Sequence, residues 1–221
     1  MNAEDDEVST PDRPGLRSTG RLEAFSDGVF AFAITLLVLD LAVPLTQHSE
    51  QHLLQALGDQ WPGYLGYVVS FATIGVLWLG HNAITEYLDR ADTTLLRLNL
   101  LLMLLVAFLP FPTRLVSDYV HFTTAAAERV AVTFYGLTLL IAGALLSLLW
   151  RYALHARLVR PDAGDDEITL LTQRLTPGLG AYALFIIVGL FVPVVAVIGY
   201  LVIAVFFLLP IRIRRIRIRR R

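Results

Sequence analysis

Residues 21–43, RLEAFSDGVFAFAITLLVLDLAV, decide how this chain is read. The stretch is long and apolar enough to cross a bilayer, which takes about 20 residues of helix. Yet Ser26 and Asp27 sit one or two turns inside it. An Asp at the centre of such a helix costs about 2.5–3.5 kcal/mol on insertion scales, and less near an end, so it is rarely left facing lipid. After Asp27 the segment carries no charge until Asp40, and its polar content falls to the hydroxyl of Thr35. The segment therefore has a polar near end, an apolar middle and an acidic far end.

The rest of the chain has the same character. Hydrophobic residues make up 56% of it and the mean hydropathy is +0.62, against about 45–50% apolar residues in a soluble domain. Its 221 residues hold one membrane domain of about six spans with their connections. Cysteine is absent, which excludes disulfides and thiolate metal sites. The net charge is −1, but all 18 basic residues are arginine and the last ten positions are rich in them. The beginning, MNAEDDEVSTPDRPG, is acidic and poor in apolar residues, so it is no signal peptide. The expected organisation is an acidic disordered cytoplasmic tail (1–20), a six-helix transmembrane domain (21–210) and a basic cytoplasmic tail (211–221).

Spans are expected at 22–43, ending at Pro44, at 61–87 with Trp61, Tyr64 and Tyr67 as interface anchors, and at 94–110, where PFPTR breaks the helix. A fourth covers 130–153, a polar linker occupies 157–167, and Pro193 divides the apolar stretch 177–210 into two spans of about 17 residues. Between the first two spans, Leu53, Leu54 and Leu57 suggest a short amphipathic turn on the surface. Arginine sets the orientation. Arg13, Arg17, Arg21, Arg90, Arg97, Arg151, Arg157, Arg160, Arg174 and the C-terminal arginines flank one side, and Arg114 and Arg129 the other. The fold class is thus an all-α membrane protein with six transmembrane helices per subunit and both termini cytoplasmic.

Depth picks out the polar residues. At 1.5 Å per residue, Asp27, His81 and Asn99 all lie about 7–9 Å in from the same face on three consecutive helices, with Arg21 and Ser26 close by. Hydrogen bonding among them would relieve desolvation. One reading is a lock that fixes helix packing; the sharper one is a cation site or proton-sensitive gate. Phe32, Thr35, Leu36 and Leu39 form a second set, at helical spacings that share one face. Such a stripe, taken alone, is ordinarily core or lipid-facing. Asp40 at the outer end, with Glu50 and Asp59 in the following connection, would raise the cation concentration at a pore mouth.

Arg21, Phe25-Ser26-Asp27-Gly28-Val29 and Thr35-Leu36-Leu37-Val38-Leu39-Asp40 together resemble the first-helix signature of the prokaryotic potassium channels related to transmembrane protein 175. The resemblance continues more weakly through Ser70-Phe71, Trp78 and His81, then Asn99, Pro110-Phe111 and Thr113. It implies a potassium channel without a glycine-rich filter, a homotetramer whose first helices surround the pore, and potassium as the permeant ion. It further implies apolar constrictions at Phe32, Leu36 and Leu39 and a pore threonine at Thr35, while the FSD signature serves chiefly in packing. Phe32 departs from the Ile or Leu usual there.

No phosphate loop, nucleophile triad or zinc motif occurs, no cofactor or metal site is expected, and an enzyme would need convergent acid, base or metal groups at one level, which only Asp27, His81 and Asn99 approach. His48, His52, His121 and His155 have no ligand spacing, and HNxxxE (His81, Asn82, Glu86) is weak evidence of metal binding. A secondary transporter would want broken polar helices at midplane and an internal repeat, neither of which is visible. A non-conducting membrane scaffold fits everything except the signature. The tail IRIRRIRIRRR follows a span directly, so it is read as binding anionic headgroups, at about 1 kcal/mol per arginine, rather than nucleic acid. The expected location is the plasma membrane, crossed several times.

Overall fold

The computed structural model describes residues 17–41, 50–119, 124–175 and 177–209, which leaves most of both expected tails outside the described residues. Regular structure among these residues is helical. Helix α1 (Gly20–Leu36) tightens into a 3₁₀ turn, Leu37–Asp40. It ends earlier than expected because Leu41 leaves the helical region and turns its N–H back onto the carbonyl of Val38. Pro44, the expected terminator, lies outside the described residues. The connection after it carries a ten-residue helix, α2 (Glu50–Asp59), with Leu54 exposed.

Helix α3 (Trp61–Tyr87) carries a proline in its first turn, where the missing N–H costs nothing. Helix α4 (Thr93–Phe108) starts at Asp92, whose carboxylate accepts the Leu95 N–H at 2.8 Å. The PFPTR stretch does not end this span. Pro110 opens a new helix, α5 (Pro110–Tyr119), and the Thr113 N–H bonds to the Leu109 carbonyl, so helical bonding resumes within a turn. Helix α6 (Ala125–His155) outruns its expected limits at both ends. It stops where Arg157 takes a left-handed φ of 55° and the Leu158 N–H returns to the Ala153 carbonyl. Part of the expected polar linker is helical: α7 (Asp165–Leu175) has three acids in its first turn, where the helix dipole favours them. Helices α8 (Pro177–Gly189) and α9 (Pro193–Leu208) divide at Pro193.

Five helical runs are long and apolar enough to cross a membrane: Gly20–Leu39, Trp61–Tyr87, Thr93–Tyr119, Ala125–His155 and Asp165–Gly189. Helix α9, with 16 residues, is shorter; at about 24 Å it falls below the roughly 30 Å hydrocarbon thickness. Helices α3 and α6 form the spine. The first packs against α1, α5 and α9, the second against α4, α5 and α8. At one end the backbone stitches three connections together. Arg17 and Ala91 exchange two hydrogen bonds of 2.9 Å, while Asp89 N–H reaches Leu158 and Arg160 N–H reaches Tyr87, also at 2.9 Å. Arg17, Arg90, Arg157 and Arg160 therefore belong to segments that meet at a common end.

Two glycines permit the closest packing around α9. A Cβ on Gly136 would collide with the Tyr200 hydroxyl, and one on Gly199 with the Phe185 ring. Tyr200 is fully buried, and neither ring can shift without disturbing the Tyr135–Tyr182–Phe185 aromatic cluster around it. Gly199→Ala should therefore destabilise the fold by about 1–3 kcal/mol, the usual cost of overpacking. Thermal unfolding in detergent should show it, with Gly58→Ala of α2, in open space, as the near-neutral control.

Candidate functional site

Helix α1 has two distinct faces. Leu22, Ser26, Phe30, Ala33 and Leu37 are buried against α3 and α4, spaced four, four, three and four residues apart. Phe25, Phe32 and Leu39 on the other side are 51%, 63% and 70% exposed, and Gly28 and Thr35 lie on that side as well. The one polar side chain in the apolar part of this open face is self-contained: the Thr35 hydroxyl donates to the Phe32 carbonyl at 2.8 Å. Leu36 is half-buried at its edge. The Asp40 side chain is outside what the structure describes; its backbone closes the 3₁₀ turn.

On the inner face, three polar residues from three helices form a closed chain. The Asn99 amide of α4 donates to Ser26 Oγ of α1 at 2.9 Å, and its oxygen accepts from His81 Nε2 of α3 at 2.8 Å. Exposure of Ser26, His81 and Asn99 is 0–2%, so every bond is made away from solvent and lipid. Phe30 covers the imidazole with its ring centroid 5.6 Å away. Buried polar groups are tolerable in such surroundings because each meets a partner.

The carboxylate expected in this hydrogen-bonded chain lies beside it, within electrostatic reach of the His81 imidazole but bonded to another group. Asp27 is exposed and accepts the Trp78 indole N–H at 2.9 Å. The reason is helix geometry: consecutive residues are rotated by about 100°, so Ser26 and Asp27 cannot both point inward. Arg21 is also exposed, and no hydrogen bond joins it to the trio. Trp78 precedes His81 by three residues, so one face of α3 meets both members of the Ser-Asp pair. That spacing, with indole as a donor-only group, was the signal available in the sequence.

A second buried network lies deeper. Ser70 Oγ of α3 is 2.6 Å from Thr113 Oγ1 of α5 and 2.9 Å from the Tyr135 hydroxyl of α6. It ties the far half of the kinked α4–α5 span to the spine, a role that periodicity alone did not reveal. Among the described residues no group of three or more His, Asp or Glu could hold a metal ion. His155 is exposed, and His48 and His121 fall outside the described residues.

Comparison with known proteins places these features in a family context. Residues 21–110 match the family model described as endosomal/lysosomal potassium channel TMEM175. The chain is 39% identical over 176 residues to a potassium channel of Streptomyces collinus, covering 79% of this chain and 83% of the other. It is 40% identical over 171 residues to one of Chamaesiphon minutus, covering 76% and 83%. The human endosomal/lysosomal proton channel TMEM175 is 32% identical over 170 residues, which span 72% of this chain and 33% of the human protein. The crystal structure of a lysosomal potassium-selective channel TMEM175 homologue from Chamaesiphon minutus superposes with a TM-score of 0.76 at 36% identity, covering 86% of this chain and 95% of that one.

Proposed function

Because this chain belongs to the TMEM175 family, we propose that it is a multi-pass plasma-membrane potassium channel, a homotetramer whose four α1 helices surround the conduction path. The observation that carries this reading is the division of α1 into a packed face and an open face, with Phe32, Thr35 and Leu39 on the open one. A single helix cannot enclose a path, so this geometry has a use in conduction only if copies of α1 face one another.

Rings of Phe32, Leu36 and Leu39 would then form the constriction. An apolar ring too narrow for a hydrated ion blocks current by dewetting. Thr35 contributes a hydroxyl whose proton is engaged by the Phe32 carbonyl, leaving its oxygen lone pairs for a passing cation. Asp40, at the outer end, would concentrate cations at the mouth. Ser26, His81 and Asn99 hold α1 against α3 and α4 and so fix which face meets the axis. Both termini lie on the cytoplasmic side in this reading, in keeping with the shared end of the arginine-bearing connections.

The test is ion flux in liposomes containing the purified protein under a potassium gradient. Valinomycin-independent potassium efflux that exceeds sodium and proton flux is expected. Proton flux without potassium flux, or no flux from vesicles shown to contain folded oligomer, would overturn the reading.

A further inference from the structure

A hollow of about 410 Å³ opens between α3, α6, α7, α8 and α9, and no residue of α1 lines it. Apart from Arg174 and Tyr182, its lining side chains are apolar, among them Leu79 and Ala83 of α3, Leu146 of α6, Leu179 of α8 and Phe207 of α9. The volume lies within the roughly 300–1,000 Å³ typical of small-molecule sites. The one cation in the lining is Arg174, in the last turn of α7.

The position of Arg174 gives the hollow its chemistry. Helix α7 is pinned along the spine: the Tyr87 hydroxyl donates to Glu167, the Trp150 indole to Thr172 Oγ1 at 2.8 Å, and the Ser147 hydroxyl to the Leu175 carbonyl at 3.0 Å. Tyr87 ends α3 and Glu167 lies in the first turn of α7, whereas Ser147 lies eight residues before the end of α6. Helix α7 thus runs inward from the arginine-rich end, and Arg174 sits about 13 Å along it from Asp165. The ion pairs among the described residues join Arg90 to Asp89, Arg114 to Asp118 and Arg160 to Asp162, and none reaches Arg174. An arginine beside an apolar wall at that level buries its stem and directs its guanidinium outward, toward the headgroup layer. There a phosphate diester offers the two oxygens that a guanidinium binds best. The chain also leaves α9 at Leu209, which lines the hollow, and runs directly into IRIRRIRIRRR.

We infer that this hollow is a phospholipid site: an acyl chain fills the space between α3, α6, α8 and α9, and Arg174 pairs with the phosphate of an anionic headgroup. A medium of acyl chains supplies the occupant, and Arg174 supplies the preference for negative charge. Lipid bound there is separate from the conduction path, since no residue of α1 lines the hollow.

The test is native mass spectrometry of the full-length protein from mixed phosphatidylglycerol and phosphatidylcholine, counting lipid retained per subunit. Wild type should retain phosphatidylglycerol at least fivefold over phosphatidylcholine. Arg174→Gln, an exposed and conservative change, should abolish that preference, and Ala83→Phe should remove the retained lipid of both kinds. Deleting residues 210–221 should weaken the preference but leave lipid that Ala83→Phe still displaces. Equal retention of the two lipids by wild type would overturn the inference. So would phosphatidylglycerol retention unchanged in Arg174→Gln, whose folding is checked by its unfolding temperature.

Discussion

Leu39→Asn should raise the resting potassium current about tenfold, the effect of lowering a dewetting barrier by about 1.4 kcal/mol. An amide in an apolar ring of the proposed constriction would give water a hydrogen-bonding surface, so the path would hydrate and ions would follow. Leu36→Asn should act in the same direction but less strongly, because Leu36 is half-buried whereas Leu39 is 70% exposed. Phe32→Ala should widen the inner end and raise conductance, and discrimination between potassium and sodium should fall in the asparagine variants. Leu37→Asn is the contrasting case: Leu37 is fully buried, so an amide there should lower the yield of folded protein instead of changing the current. Single-channel recording in planar bilayers separates the two outcomes. Unchanged current in all three open-face variants would remove α1 from the conduction path.

Much of this architecture is legible in the sequence because a bilayer leaves few choices. Backbone groups must be satisfied internally, so long apolar runs become helices, and α3 begins and ends where its run does, at Trp61 and Tyr87. Proline is harder to read. Pro193 divides a hairpin, whereas Pro110 starts a helix that carries its span on to Tyr119. In both cases proline occupies a first turn; what differs is whether the preceding residues turn the chain back, and hydropathy does not encode that. The unexpected α7 has its own cause: Asp165, Asp166 and Glu167 beside Leu170 and Leu171 keep its average hydropathy low, so its apolar face shows only at the helical period.

The site was legible in depth but not in azimuth. Counting residues from the membrane face put Ser26, Asp27, His81 and Asn99 at one level, yet depth is a single coordinate. The 100° step between Ser26 and Asp27 decides which joins the buried chain, and the hydroxyl goes in while the carboxylate goes out to Trp78. Desolvation favours that choice, since burying a hydroxyl with one partner costs far less than burying a carboxylate without a cation. The open face of α1 could be written down as a stripe, but a stripe does not say what it faces. One subunit exposes it to whatever lies beyond, and the signature residues, not their spacing, connect it with a pore.

The same distinction sets the largest expected loss of stability. Asn99→Leu keeps the volume of the side chain while removing both of its hydrogen bonds, leaving the Ser26 hydroxyl and His81 Nε2 buried without their partner. Each unsatisfied group costs about 1–3 kcal/mol, so a total of about 2–6 kcal/mol is expected. Asp27→Ala removes one exposed bond and frees an indole N–H at a half-open position, for about 0.5–1.5 kcal/mol. Thermal unfolding of the purified protein in detergent should therefore rank Asn99→Leu well below Asp27→Ala. Ser26→Ala added to Asn99→Leu should recover part of the loss, because it deletes one of the stranded groups; the two changes are coupled through a shared bond and should not add. Should Asp27→Ala prove as damaging as Asn99→Leu, the carboxylate would have a buried role that its bond to Trp78 does not account for. If the trio acts as a lock, the folded fraction of Asn99→Leu should keep the wild-type potassium-to-sodium ratio. A cation site or proton-sensitive gate built from these side chains would instead change that ratio or its dependence on pH, since removing the amide severs the link between His81 and α1.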